Sequence, residues 1–113
     1  MNKFDSLLEI FKECYQTSLE HGFWGENKEY PQRNYGEAIA LITSELSESL
    51  EAYRHKDVYN MNEELADTLI RLGDLVYGIN YRNLNKDENN FLKILEDKMA
   101  YNTTRPYKHN KEI

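Results

Sequence analysis

Two pairs of acidic residues with the same spacing are the part of the sequence best suited to chemistry. Glu45 and Glu48 are three residues apart, and Glu64 and Asp67 repeat this spacing later in the chain. Carboxylates held close together repel one another, and a bound cation relieves the repulsion. Carboxylate oxygens are hard ligands that suit Mg²⁺ or Mn²⁺ better than zinc. Because Mg²⁺ in proteins usually also binds the phosphates of a substrate, the pattern predicts phosphate chemistry.

The same acidic pairs also fit a simpler interpretation. Acids three residues apart are common in an acidic chain, and Glu48 and Glu51 share the spacing. Each pair alone is typical of a solvated helix face with ordinary ion pairs, such as Glu51 with Arg54 or Asp67 with Arg71. Two such pairs on consecutive helices fit a metal site and a solvated face equally well.

Hydrophobic periodicity predicts four α-helices and no strand. Apolar residues recur at intervals of three and four, which places them on one face of a helix. The predicted helices cover residues 4 to about 21, 34 to about 55, 60 to about 82 and 91 to about 103. Asn34 with Glu37, and Asn60 with Glu63, resemble capping boxes at the starts of the second and third helices. We therefore expect an all-α domain in which short turns join four helices into a bundle-like fold.

The two middle helices each carry an apolar stripe that we expect to form the core. The stripes comprise Ile39, Ile42, Leu46, Leu50 and Tyr53 on the second helix, and Leu65, Leu69, Leu72, Val76 and Ile79 on the third. Glu45, Glu48, Glu64 and Asp67 lie away from these stripes, so side-by-side packing of the helices would bring four carboxylates together. Apolar residues beyond a single stripe predict that a homodimer or homotetramer completes the bundle.

Length and composition limit the function classes that the chain fits. A length of 113 residues, of which 40% are apolar, predicts one domain spanning residues 1 to 113. The net charge of −6 argues against binding to nucleic acid, which relies on a surplus of Lys and Arg. The sequence has no apolar run typical of a membrane helix or a secretory signal, so we expect no membrane partner and a location in the cytoplasm. An acidic body ends in a basic tail, from about residue 103 to 113.

Several segments together resemble the MazG-like nucleotide pyrophosphohydrolases of the all-α nucleoside triphosphate pyrophosphatase superfamily. The acids of residues 45–48 (ELSE) and 64–67 (ELAD) resemble the metal motif of that family. Residues 22–24 (GFW) are similar to its entry loop, and residues 98–102 (KMAYN) with 105–109 (RPYKH) resemble its C-terminal signature. The resemblance covers the chain from about residue 20 onward, and the combination of acids and tail is its most specific part.

The resemblance implies an enzyme that hydrolyses a nucleoside triphosphate to the monophosphate and pyrophosphate. On this interpretation Glu45, Glu48, Glu64 and Asp67 bind Mg²⁺, or Mn²⁺ in its place, and form the catalytic centre. The metal would neutralise charge on the phosphates and lower the pKa of a bound water. The resemblance also implies a helical fold that is usually oligomeric.

The basic residues near the end of the chain are predicted to bind the substrate. Lys98 and Asn102 are four residues apart on one face of the fourth helix, and Arg105 follows just beyond it, which suits phosphate binding. Lys108 and His109 belong to the same C-terminal signature. The alternative for these residues is an internal salt bridge to the acidic body.

An aromatic loop before the second helix is predicted to contact the base of the nucleotide. The loop covers residues 22 to 33, which have glycines, a proline and no helical period. Trp24 is the leading candidate because an aromatic ring beside the site can stack on a base. Phe23 and Tyr35 are weaker candidates for the same role. The alternative for Trp24, that it covers the core, fits the sequence equally well.

Two further functions remain open from the sequence. A related helical hydrolase acting on dUTP, dCTP or phosphoribosyl-ATP would carry the same metal motif. A noncatalytic helical protein that binds metal or a partner through its acidic face would also fit the composition. Replacement of Arg105 separates an enzyme from a noncatalytic protein. An enzyme should lose turnover, whereas a noncatalytic protein should keep its assembly and binding.

Overall fold

The protein is all-helical in the computed structural model, which describes residues 2–82 and 91–106. Four helices follow one another: α1 (Lys3–Glu20), α2 (Tyr35–Arg54), α3 (Val58–Asn80) and α4 (Phe91–Thr103). No strand occurs within these two ranges, so the predicted fold class is confirmed. None of the helices searched in this part of the chain is long and apolar enough to cross a membrane.

Side chains of Asn and Asp begin the first three helices by accepting hydrogen bonds from backbone N–H groups. Asn34 accepts from the N–H of Glu37 at 3.0 Å, which confirms the predicted start of α2. The third helix begins earlier than expected, because Asp57 rather than Asn60 is its N-cap and accepts from the N–H of Asn60 at 3.0 Å. After α1 the chain turns through Gly22, whose φ of 86° suits a residue without a side chain.

The central helix α3 packs against both α1 and α2, and aromatic residues fill the space between them. Trp24, from the loop before α2, is completely buried against Tyr15, Ala38 and Leu75. A second cluster around Phe11, Val76 and Tyr81 lies next to it, and Phe91 and Leu92 of α4 pack against this cluster. Trp24 therefore packs against α1, α2 and α3 at once.

Two glycines of α3 make room for the aromatic rings above them. A Cβ atom at Gly78 would overlap the six-membered ring of Trp24, and one at Gly73 would overlap the ring of Phe11. Glycine in a helix interior costs about 1 kcal/mol relative to alanine. This cost is offset here because each glycine lets a large ring pack directly on the helix backbone.

Most of the apolar stripe predicted as core is instead exposed on the outer side of α2 and α3. Ile39, Leu46, Leu50 and Tyr53 are all about half exposed or more, and four of their five counterparts on α3 are about 40 to 50% exposed. Only Val76 of the two stripes is buried, and Ile42 is partly buried. The prediction was wrong because small residues such as Ala38, Ser49 and Ala52 form the buried side of α2, while the larger apolar residues face outward.

The last helix is attached through its first turn. The ring of Phe91 lies 6.5 Å from that of Phe11, and the backbone N–H of Leu92 donates to the hydroxyl of Tyr81 at 2.9 Å. No residue of α4 is buried. The basic tail that the sequence predicts from about residue 103 lies mostly outside the described residues.

Candidate functional site

Three glutamates from two neighbouring helices form a carboxylate cluster between α2 and α3. Glu45 and Glu48 come from successive turns of α2, and Glu64 comes from α3. Each offers a carboxylate oxygen, and these atoms all lie within 4.8 Å of one another. The structure thus brings together three of the four acids expected from the sequence, because α2 and α3 pack along the sides that carry them.

The pKa values of the cluster differ because its members share hydrogen bonds unequally. Hydrogen bonds with Glu48 and Glu45, together with burial, raise the pKa of Glu64 from 4.5 to about 7. The Oε2 atom of Glu64 is buried without a hydrogen-bond partner. Burial works against the charge of Glu45, but hydrogen bonds with Glu64 and Arg71 outweigh it and lower the pKa of Glu45. The cluster therefore holds a proton near neutral pH when no cation replaces it.

Arg71 pairs with the cluster rather than with its own helical neighbour. Its Nε donates to Oε1 of Glu45 at 3.0 Å, and the two side chains are 30% and 17% exposed. The alternative ion pair of Asp67 with Arg71 is therefore not formed. The alternative pair of Glu51 with Arg54 is confirmed at 3.4 Å, and both side chains are well exposed. Glu51 with Arg54 is therefore an ordinary surface ion pair, whereas Glu45 with Arg71 is an ion pair at the edge of the carboxylate cluster.

A cavity of about 280 Å³ lies beside the cluster, between α1, α3 and the aromatic loop. Its walls are formed by Cys14, Thr17, Ser18, His21, Phe23, Glu45, Asp67, Ile70, Arg71 and Asp74. Asp67 faces this cavity together with Glu45 but is not part of the close group of three glutamates. The cavity thus has acids along one side, and small polar and aromatic residues of α1 and the loop along the other.

Trp24 occupies a different place from the one expected of a base-stacking residue. Its ring is completely buried, and its Nε1 donates to Oδ1 of Asp74 at 2.7 Å. Arg33 donates to the other oxygen of Asp74 at 2.6 Å, and both side chains of this ion pair are more than nine-tenths buried. The guanidinium groups of Arg33 and Arg82 lie 5.3 and 5.2 Å from the ring centre. Trp24 therefore anchors the loop to the core and presents no ring to a ligand.

Phe23 takes the position expected for Trp24. Its side chain is half exposed and lines the cavity, and the guanidinium of Arg33 lies 5.8 Å from its ring centre. Tyr35, the other weaker candidate, is 6.4 Å from the ring of Trp24 and does not line the cavity. Phe23 and Trp24 lie in a turn and face different directions, so one aromatic residue is buried and the other borders the cavity.

The basic residues of α4 do not reach the carboxylates in the described part of the chain. Lys98 and Asn102 are exposed, and none of Lys98, Asn102 and Arg105 lines the cavity. Arg105 donates to Asn102 at 3.4 Å and lies over the ring of Tyr101, so the alternative salt bridge to the acidic body is not formed within these residues. Lys108 and His109 lie outside the described residues.

Sequence reasoning missed the contribution of α1 and of Asp74. Cys14 is only partly buried, borders the cavity, and has a pKa raised by burial and by Asp74. The Oγ atom of Ser18 is buried with no hydrogen-bond partner, although Ser18 also lines the cavity. The only sign of this contribution in the sequence was Ser18, a small polar residue placed among the apolar positions of α1.

Comparisons with known protein families, with curated proteins and with solved structures found no match to this chain.

Proposed function

We propose that the protein is a metal-dependent nucleoside triphosphate pyrophosphohydrolase. The observation that carries this proposal is the convergence of Glu45, Glu48 and Glu64 from two helices, with Glu45 also bordering the cavity. Like charges are costly at such distances, and a bound cation would remove that cost. The resemblance of the acid spacing and C-terminal segments to the MazG-like enzymes supports the same reaction.

The chemistry of the donor set suits Mg²⁺ or Mn²⁺. The three glutamates offer only oxygen ligands, and the buried Oε2 of Glu64 lacks the hydrogen bond that such an atom normally has. Asp67, which borders the same cavity as Glu45, is the fourth proposed ligand. A bound Mg²⁺ would supply charge neutralisation of the phosphates and a water of lowered pKa.

The two sides of the cavity bind different parts of the substrate. The phosphates lie along the acidic side, next to the metal ligands. The nucleoside lies between α1 and Phe23, where the half-exposed aromatic ring of Phe23 is available to a base. Water attacks the phosphate chain, the bond to the pyrophosphate group breaks, and a carboxylate oxygen not engaged by metal accepts the proton of the water.

A panel of ribo- and deoxyribonucleoside triphosphates, including dUTP and dCTP, tests the reaction with and without Mg²⁺. We expect the monophosphate and pyrophosphate as products, and only with metal. Release of single phosphate would contradict the pyrophosphohydrolase assignment. Absence of turnover across the panel and with phosphoribosyl-ATP would contradict the enzyme itself.

Variants of the acids test the metal assignment in the same assay. Glu48→Gln and Asp67→Asn should each lower turnover by about 100-fold or more, because loss of a carboxylate ligand weakens metal binding and charge stabilisation. Glu63→Gln is the matched control, since Glu63 is an exposed acid adjacent to Glu64 and is not part of the cluster. Full activity in Glu48→Gln would rule out its role as a ligand.

We also propose that the protein is a homodimer formed through the exposed apolar faces of α2 and α3. Leu46, Leu50, Tyr53, Met61 and Leu65 line one groove between these helices, and apart from Met61 each is about 40% exposed or more. Contiguous exposed apolar patches of this kind mark interaction sites. A two-fold axis would place the same face of a second copy over it, as in most small oligomers.

A further inference from the structure

Arg71 is the only lysine or arginine among the described residues that line the cavity. The other charged groups there are the carboxylates of Glu45, Asp67 and Asp74. A phosphate chain is itself strongly anionic, so it needs positive charge on this side of the cavity in addition to any metal. The basic residues of α4, which the sequence suggested for this purpose, do not border the cavity.

The hydrogen bonds of Arg71 leave most of its guanidinium available. Of the five N–H donors of an arginine, the one on Nε is used for Glu45 at 3.0 Å. Within the described residues the remaining donors of Arg71 make no other hydrogen bond or ion pair. Arg33 is different, because its buried guanidinium is committed to Asp74 and to the ring of Trp24. Arg71 is therefore the arginine at the site that has both partial exposure and unused donors.

We propose that Arg71 binds the phosphate chain of the nucleotide while its Nε keeps the contact with Glu45. This inference rests on the proposed function of the same site and names the residue that receives the phosphates. The planar guanidinium binds two phosphate oxygens at once, which an ammonium group does less well. Through Glu45 the same side chain connects the phosphate chain to the carboxylate cluster, so phosphates and metal ligands are held in one fixed arrangement.

Calorimetric titration of the full chain tests this assignment without requiring turnover. The probes are inorganic tripolyphosphate with Mg²⁺, which has the phosphate chain without a nucleoside, and an α,β-methylene deoxynucleoside triphosphate with Mg²⁺. Arg71→Gln should weaken binding of both probes by about 10- to 100-fold, as expected for loss of charged hydrogen bonds. Arg71→Lys should restore part of the affinity. If the nucleotide analogue binds more tightly than tripolyphosphate, the preferred ligand is a nucleotide. If both bind equally, the preferred ligand is a free polyphosphate.

Two controls separate phosphate binding from a structural role. Arg54→Gln removes the same charge from an exposed pair on α2 and should leave the affinity for both probes unchanged. Titration with Mn²⁺ alone should give an affinity for Arg71→Gln that is equal to or higher than that of the wild type, since the guanidinium no longer competes for Glu45. Thermal unfolding of each variant checks that it is folded.

The inference would be overturned by unchanged tripolyphosphate affinity in folded Arg71→Gln, or by a wild-type protein that does not bind tripolyphosphate. Failure of the proposed function looks different. A wild type that hydrolyses no nucleotide but binds tripolyphosphate through Arg71 would contradict the enzyme and support the phosphate site.

Discussion

At the scale of single residues, Glu64 determines how the carboxylate cluster responds to pH. Its protonated carboxyl shares hydrogen bonds with two other acids, Glu48 and Glu45, which act as acceptors, and one of its oxygens is buried without a partner. A carboxyl in such a place is more stable with a proton than without one. The metal-free protein therefore keeps a proton that a bound cation would have to displace.

Replacement of Glu64 by glutamine should change how the stability of the metal-free protein depends on pH. Because the pKa of Glu64 is raised from 4.5 to about 7, the folded state binds a proton more tightly than the unfolded state between these values. This contribution to stability is complete below the unfolded pKa and is lost as the pH rises to about 7. Glutamine does not titrate, so Glu64→Gln has no such pH-dependent contribution. As the pH rises from about 5 to about 8, the free energy of unfolding of the wild type should therefore fall relative to that of the variant.

Urea unfolding of both proteins, in the presence of a chelator, measures this difference. Parallel pH profiles for wild type and Glu64→Gln would show that Glu64 is not the group that holds the proton. Glu63→Gln, which changes an exposed acid next to it, should follow the wild-type profile.

The acids were predictable from the sequence, whereas their individual roles were not. Spacing predicted that side-by-side packing of the two helices would bring Glu45, Glu48, Glu64 and Asp67 together, and the structure brings the first three together. Spacing does not reveal that Arg71 contacts Glu45 rather than Asp67, because that choice depends on the distance between α2 and α3. It likewise does not show that Asp67 opens onto the cavity beyond the cluster.

At the scale of elements, the loop of residues 22 to 33 is fastened to α3 by a buried charge. Asp74 accepts hydrogen bonds from the indole of Trp24 and from Arg33, and it also borders the cavity. A buried ion pair contributes modest net stability, but removal of one partner leaves the other charge unpaired. Asp74 thus helps to fix the position of Phe23 at the cavity, together with the packing of Trp24 in the core.

Replacement of Asp74 by alanine should destabilise the protein by about 3 to 5 kcal/mol, because Arg33 and the indole N–H of Trp24 would be buried without a partner. Asp74→Asn should cost less, since an amide oxygen still accepts from Trp24. Denaturant unfolding gives both values. Asp97→Ala, which breaks an exposed pair with Lys93 at 3.2 Å, is the control and should stay within about 0.5 kcal/mol of wild type. Equal effects at both positions would contradict the anchoring role of Asp74.

The helix boundaries followed from the sequence to within about two residues, with α3 beginning at Val58 rather than at residue 60, but the direction that each helix faces did not. Capping residues such as Asn34 act locally, so their pattern is visible in a single sequence. The apolar stripes of α2 and α3 were expected inside, yet they are largely exposed, because the interior is formed by Trp24, Phe11 and the small residues that accommodate them. A loop tryptophan that fills the core gives no periodic signal.

At the scale of the whole molecule, the described chain has two chemically different sides. The carboxylate cluster and its cavity lie between the helices, and the apolar groove on α2 and α3 is open. The residues of the apolar stripes predicted from the sequence are largely exposed in the single chain. In the proposed homodimer, a second copy of the chain would cover them.

Replacement of Leu50 by lysine should convert the protein from dimer to monomer, because a buried ammonium group at an apolar interface is costly. Light scattering should give about twice the chain mass of 13.5 kDa for wild type and the chain mass for Leu50→Lys. Ile10→Lys, which changes an exposed aliphatic residue on α1, should remain dimeric. A monomeric wild type at high concentration would rule out this interface.

The burial of Trp24 has a practical consequence for following this protein in solution. It is the only tryptophan of the chain, so the intrinsic indole fluorescence comes from one place. That place touches α1, α2 and α3 and is fixed by Asp74, Arg33 and Arg82. A red shift of the emission would therefore report release of the loop from the core. A ligand that enters the cavity beside Phe23 and displaces the loop would change the emission of Trp24 without contacting its ring.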